Sequence, residues 1–470
     1  MLFVRLVKRN GMRDNRSDQV EGETSVDRIL AVDVGTQSLK ACVVDHRLTT
    51  LERQQVSYDP QVKRKTWAEI DAEVLWKAFI DACRQLKMAR EVKAISFSTL
   101  CPSLLPMDAS GNPLRPIILH MDRRSSHQAL WALNRVGEDK FLRIAGNLPI
   151  PGGISLTSLL WIKEKEPPLY EEKDVIFGHA VTFFMKRLTN RFVIDPSNAS
   201  FTGLYDTVGY GGWDDELLRD LNIAREKLPQ VVISTTVVGE LNQKVSESAG
   251  LPPDIPVVIG ANDTTCASVG AGVIEHGNLM NTSGTTDCMA LCLDRPFASK
   301  NHLLRTHAYP NRWLAMKIVG AGGASLEWFR KAFCQEMTRD FFYDQYLKTV
   351  LSSSAQPEAR FHPFLSGDRH RIRQKTGSFT QLSLETTRED CLLALARGIV
   401  SFQAEALREW QKKVDLDHII YHVGGGASEA YTQYKQKWFK GFQIIQLGET
   451  AAQGAAKLGF EALGRIGGQA

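Results

Sequence analysis

The chain has 470 residues, 43% of them apolar and 9% aromatic, with a formal charge of +4. That length exceeds one hydrophobic core and predicts two domains. The small net charge, with no dense Lys/Arg run interleaved with aromatics, excludes a nucleic-acid stripe, and no apolar run approaches the roughly 18 residues of a membrane span.

Residues 1–27 are polar and basic and read as a flexible extension. They lack the apolar centre of a signal peptide, and Asp14, Asp18, Glu21 and Glu23 oppose an organelle address. Residues 29–45, ILAVDVGTQSLKACVVD, read as a β-hairpin whose first strand closes on an Asp. Gly35 lets the backbone approach a phosphate, the N–H groups of Thr36, Gln37 and Ser38 can face its oxygens, and Lys40 adds positive charge. Asp33 is placed to hold Mg²⁺ or its waters. A tight turn without a ligand is the competing reading.

Residues 66–88 predict an amphipathic helix with Ile70, Val74, Leu75, Ala78, Phe79 and Ala82 on one face. Strands are expected at 92–98, 103–107 and 116–120, the last running into Met121, Asp122, Arg123 and Arg124 at a strand end, where open α/β sheets bind ligands. Residues 146–155, GNLPIPGGIS, are loop chemistry and 156–162 a short helix. Residues 174–188 suggest a strand then a helix, 190–200 a turn and strand, 237–240 a connector, and 245–251 a helix. A buried strand at 256–260 runs into Ala261, Asn262, Asp263, Thr264 and Thr265, followed by a helix of small residues at 266–273. The hinge is placed at 270–277, dividing the chain into 28–272 and 273–470.

Residues 279–294, LMNTSGTTDCMALCLD, repeat the plan of the first hairpin, now with Gly284 and Thr285 in the turn. Two such turns, one domain apart, suggest a duplicated fold with nucleotide held between its halves. A strand at 313–319 precedes a Gly-rich turn at 320–325 and a helix at 326–333. A charged loop spans 363–371, a long helix 388–414, and a strand at 418–423 runs into Gly424, Gly425 and Gly426, suited to close approach by a flat adenine or ribose. A strand at 442–447 and an alanine-rich helix at 449–463 close the chain.

Asp263 is the first candidate for catalysis. A carboxylate at a strand end can take the proton of a substrate hydroxyl as it meets a γ-phosphate. An N-cap Asp is the bland alternative. The eight cysteines stand mostly in apolar runs without a CxxC pair and the eleven histidines are dispersed, which fits reduced thiols in a cytoplasmic protein and no protein-ligated transition metal.

Taken in order, DVGTQSLK, DRR, GNLPIPGGIS, GANDTT, NTSGTT, GAGGAS, FLSGDR and GGGAS resemble the FGGY carbohydrate kinases, over about residues 28–463. The resemblance implies an α/β fold of two ribonuclease-H-like domains, of the actin, hexokinase and Hsp70 type, with an interdomain cleft. It also implies ATP- and Mg²⁺-dependent phosphorylation of a sugar or polyol hydroxyl. Asp263 matches the family's base and Asp33 the Asp associated with Mg²⁺ and phosphate. Gly35, Thr36, Gln37, Ser38 and Lys40 fall on the first phosphate loop, Gly284 and Thr285 on the second, and Gly323, Glu327, Gly425 and Gly426 on nucleotide-contacting positions. Asp122 and Arg123 match sugar-binding positions.

Within the family, GNLPIPGGIS and LLWIKEKEP resemble the xylulokinase branch, which implies a pentulose acceptor. That branch carries a Met-His pair where this chain has Leu100 and Cys101, which become the substrate-contacting candidates. AISFS and SLLPMD resemble gluconate kinases, the alternative, and His120 stands where relatives place a Trp. A sugar is the expected partner, without nucleic acid or membrane and with room for a homodimer. A non-catalytic actin-like sugar sensor and a chaperone-type ATPase are the rival classes.

Overall fold

The computed structural model describes residues 28–63, 66–426 and 428–467. The expected extension, 1–27, lies outside the described residues. Both hairpins form. Arg28–Val34 pairs antiparallel with Ser38–Asp45 and parallel with Ala94–Thr99, while Leu279–Ser283 pairs antiparallel with Asp287–Leu293 and parallel with Ile419–Val423. Each pair sits inside a six-stranded sheet; five strands of the two sheets share one plan and the sixth lies at opposite edges. In the first sheet Thr50–Ser57 extends the hairpin and Pro256–Asn262 lies beyond Ala94–Thr99. In the second, Trp313–Val319 and Gln443–Gln446 take the corresponding places. The duplication anticipated from two similar turns is therefore a duplication of sheets. Ala94–Thr99, Asp287–Leu293 and Trp313–Val319 are buried along their whole length, which fits their being largely apolar without a period-two alternation.

Several elements depart from the sequence reading. The helix expected from residue 66 begins at Ala72, because Asp71 caps it by accepting from the Glu73 N–H. Trp67–Ile70 instead forms a strand paired with Ile117–Leu119. Val74, assigned to the buried face, is exposed. Val237–Glu240 is an edge strand, not a connector. Residues 190–200 hold only the two-residue strand Val193–Ile194, after which Asp195 caps the short helix Pro196–Ala199, with proline at a first-turn position where its missing N–H costs nothing.

The closing helix, Ala451–Gly467, runs back over the first sheet. Its Ala455, Ala456 and Leu458 share a core with Ile29, Ala31, Ala94, Cys266 and Val269. Contact with the helix Asp263–Gly270 is at backbone distance, since a Cβ on Gly454 would stand 1.8 Å from the Cys266 carbonyl oxygen. All eight cysteines are free, and Cys288 and Cys292 share one core, as their i, i+4 spacing on a strand requires. No described helix is long and apolar enough to cross a membrane.

Candidate active site

Loops at the ends of both sheets enclose a cleft of about 1250 Å³, with Asp33, Thr36, Lys40, Asp263, Thr285 and Arg369 among its lining residues. The strand Pro256–Asn262 delivers Asp263 to its floor. A register shift after Val258 and a left-handed Gly260 (φ +70) turn the strand end, and a Cβ at Gly260 would lie 1.8 Å from the Phe97 carbonyl oxygen. Such a bulge re-aims the residues that follow it. Asn262 is the helix cap: its side chain accepts from Thr265 N at 3.0 Å, while its own N–H donates to Ser197 Oγ at 2.9 Å. Ser197 in turn donates to the buried carboxylate of Asp195.

Asp263 is thus released from capping and becomes the first helical residue. Thr264 N donates to its Oδ1 at 2.6 Å, and Oδ2 has no partner among the described residues. Burial, then the charge of Asp33, pushes the carboxyl up to about 6 against those hydrogen bonds. A free carboxylate oxygen titrating near neutrality is what a general base needs.

The first turn spends its carbonyls on structure. Gly35 N donates to Ser38 O, and Tyr58 holds Gly35 O through its hydroxyl (2.7 Å) and Gln37 O through its N–H (2.9 Å). The N–H groups of Thr36 and Gln37 have no partner among the described residues. Asp33 Oδ1 accepts from Ser98 Oγ at 2.7 Å; Lys40 Nζ lies 3.8 Å from Oδ2 and 2.8 Å from Glu449 Oε1. Burial raises the Asp33 carboxyl, with Lys40 and Ser98 opposing.

The second turn is held from below. Gly426 N donates to Ser283 O and Gly323 N to Gly284 O, each at 3.0 Å, so both glycines use their N–H groups to shape the turn. Gly425 lies near Glu449, and Thr285 faces the cleft. Beneath the turn, the fully buried Lys435 ammonium donates to Asn281 Oδ1 (2.5 Å), Ser283 Oγ (2.6 Å) and Asp287 Oδ2 (2.9 Å), and Asp287 also accepts from Gln403.

Three of the expected residues, Leu100, Asp122 and Glu327, stand outside the cleft lining. Leu100 is 1% exposed and belongs to the first core, because its backbone continues the sheet by donating to Val34 O. The Asp122 carboxylate is consumed by the Ala68 N–H and by the backbone and guanidinium of Arg124, so of the pair only Arg123 lines the cleft. Glu327 is tied to Arg330 (2.7 Å) and the Tyr343 hydroxyl (3.2 Å) and is absent from the lining. Cys101 does line the cleft, with His179 Nδ1 3.5 Å behind its sulfur and Ser155 Oγ 2.9 Å from His179 Nε2. Sequence reasoning did not reach His179, Arg369, Lys435 or Glu449. Arg369 alone had a signal, within FLSGDR.

The described residues hold no cluster of three or more His, Cys, Asp or Glu able to bind a metal. Mg²⁺ needs less, since it keeps its waters and takes one or two carboxylates with phosphate oxygens. Asp33 and Asp263, two carboxylates close enough for one to raise the other, fit such an ion.

A sequence model described as the FGGY family of carbohydrate kinases, N-terminal domain, matches residues 28–270. The chain is 27% identical over 409 residues to a xylulose kinase of Staphylococcus xylosus, covering 85% of this chain and 83% of that one. It is 25% identical over 457 residues to a gluconokinase of Bacillus subtilis, covering 93% and 88%. Among solved structures, the ligand-bound xylulose kinase of Lactobacillus acidophilus superposes with a TM-score of 0.84 at 23% identity, covering 94% of this chain and 90% of that one, a likeness of fold.

Proposed function

The chain belongs to the FGGY family of carbohydrate kinases, and from that premise we propose how its residues carry out ATP-dependent phosphorylation of a sugar hydroxyl. The observation that carries the proposal is Asp263: its unpartnered Oδ2 lies on the cleft floor between two phosphate-type turns, with the carboxyl poised at about 6.

Asp263 Oδ2 accepts the proton of the acceptor hydroxyl as that oxygen attacks the γ-phosphorus. The free N–H groups of Thr36 and Gln37, with Lys40, hold phosphate oxygens from the first half, and the Thr285 turn meets them from the second. Asp33 would hold a Mg²⁺ ion, which would supply charge neutralisation for the transferring group. Closure of the two halves, divided near residue 272, excludes water that would otherwise take the phosphoryl group. Eight free thiols suit a reducing cytoplasm.

By relatedness, a pentulose stands first as acceptor and gluconate or a polyol second. The test is coupled ADP release with Mg·ATP across ketoses, polyols and aldonates. Asp263→Ala lowers kcat by about 10²- to 10⁴-fold while nucleotide binding, read by calorimetry, survives. Loss of nucleotide binding in the folded variant would sink the assignment, and ATP binding without acceptor-stimulated release in the wild type would favour a non-catalytic sensor.

A further inference from the structure

The charged groups of the cleft neighbour one another in turn. Lys40 and Glu449 act on Asp33, Asp33 on Asp263, Asp263 on Arg369, and Arg369 on Arg123 and His120. Arg123 and Arg369 line the same cleft as Asp263, within reach of an acceptor whose hydroxyl meets that carboxylate.

These arginines are held by backbone carbonyls. Arg123 Nη1 donates to His120 O (2.8 Å) and Asp122 O (3.0 Å), and Arg369 Nη2 reaches Gly152 O (3.4 Å). Arg305, fully buried, donates to Gly153 O (2.8 Å) and Leu304 O (3.0 Å) and lies 4.1 Å over the ring of Phe201, which lines the cleft. The Nε of all three is buried without a partner. The loop is shaped around the guanidinium: Gly152 has φ +67, and a Cβ there would stand 2.1 Å from Arg123 Nη1.

None of the three is ion-paired with a carboxylate among the described residues; Asp263 acts on Arg369 only from longer range, and the Asp122 carboxylate is spent on Arg124. Burial and the facing Arg369 push Arg123 down to about 10, although Asp122 and Asp368 oppose them. The same two arginines, after burial, hold His120 neutral. Buried positive charge with no counter-ion is costly unless a ligand supplies one. A neutral hydroxyl accepts hydrogen bonds but leaves the charge standing, whereas a planar anion takes the guanidinium fork.

We propose that the acceptor carries an anionic group, a carboxylate or a phosphate, at the end of its carbon chain remote from Asp263, bound by Arg123 and Arg369 with Arg305 as the charge behind Phe201. This rests on the kinase reading above and reverses the order of acceptors that relatedness suggests, placing sugar acids before neutral pentuloses.

The test uses the full chain with Mg·ATP and reads ADP release with gluconate and xylonate, their uncharged counterparts sorbitol and xylitol, D-xylulose and D-ribulose, and sorbitol 6-phosphate. One anionic arm is expected to exceed every neutral acceptor by at least about 30-fold in kcat/KM, and the carboxylate and phosphate arms identify the group. Arg123→Gln lowers that value by about 10- to 100-fold through KM and closes the gap to the neutral acceptors, with Arg123→Lys intermediate. The thermal shift produced by Mg·ATP reports whether each variant is folded; should Arg123→Gln unfold, Arg123→Lys carries the comparison. A neutral pentulose used as well as any acid overturns the inference and leaves the kinase reading standing. An equal fall in kcat for every acceptor assigns Arg123 to the phosphoryl group and also overturns it. No release in any arm overturns both readings.

Discussion

In the proposed reading, Asp263 sets catalysis against stability at a single residue. Its carboxyl titrates at about 6 in the fold against a model-peptide value of 3.8, so the ionised form is disfavoured by folding. The sign follows: the penalty is absent below the unfolded value, grows as pH rises through the gap, and is complete above the folded value. About two pH units would be worth roughly 3 kcal/mol, and water in the cleft reduces this to about 1–2 kcal/mol. Asp263→Asn is therefore expected to raise stability by that amount near pH 7.5, with the gain shrinking between about pH 6 and pH 4, as urea melts at those pH values would read. The wild-type kcat/KM should fall on the acid side of about pH 6, when the base is protonated.

At the scale of elements, the second hairpin turn depends on a buried ion pair far along the chain. Lys435, on the helix Glu429–Trp438, reaches Asp287 across the sheet and ties the turn to the strand Ile419–Val423 through Ser283, which His422 also contacts. Burial lowers the lysine, and Asp287 opposes that shift. Lys435→Met strands the Asp287 charge and should cost about 3–5 kcal/mol in urea melts, with a raised KM for ATP. Adding Asp287→Asn should recover a large part of the lost stability, and a strictly additive double variant would show that the pair is not coupled.

Across the whole molecule, the halves meet at more than the cleft. Glu449 joins Lys40 (2.8 Å) and Arg53 (2.7 Å) of the first sheet to the segment leading into the closing helix. Asn147 exchanges hydrogen bonds with the Leu304 backbone, and Trp313 Nε1 donates to Thr207 O at 2.6 Å. Because the Glu449 pairs are partly exposed, Glu449→Gln should change stability by under about 1 kcal/mol. It also frees Lys40 for phosphate, so KM for Mg·ATP should fall about threefold and rise more steeply with salt, as initial-rate assays at two ionic strengths would read.

The sequence by itself determined the two hairpins, the duplication and the position of Asp263, because turn chemistry and apolar strands are local properties readable within about a dozen residues. The residues of both turns were legible for the same reason, as were the free cysteines. Tertiary structure alone decided that Asn262 and not Asp263 caps the helix, that Leu100 turns into the core, and that the Asp122 carboxylate is spent on Arg124. It alone brought Lys435 under a turn about 150 residues away and set Arg123, Arg305 and Arg369 around one loop. Partnership of charges is a property of space: whether a carboxylate is free or consumed, and whether a guanidinium has a counter-ion, depends on chain segments that only folding brings together.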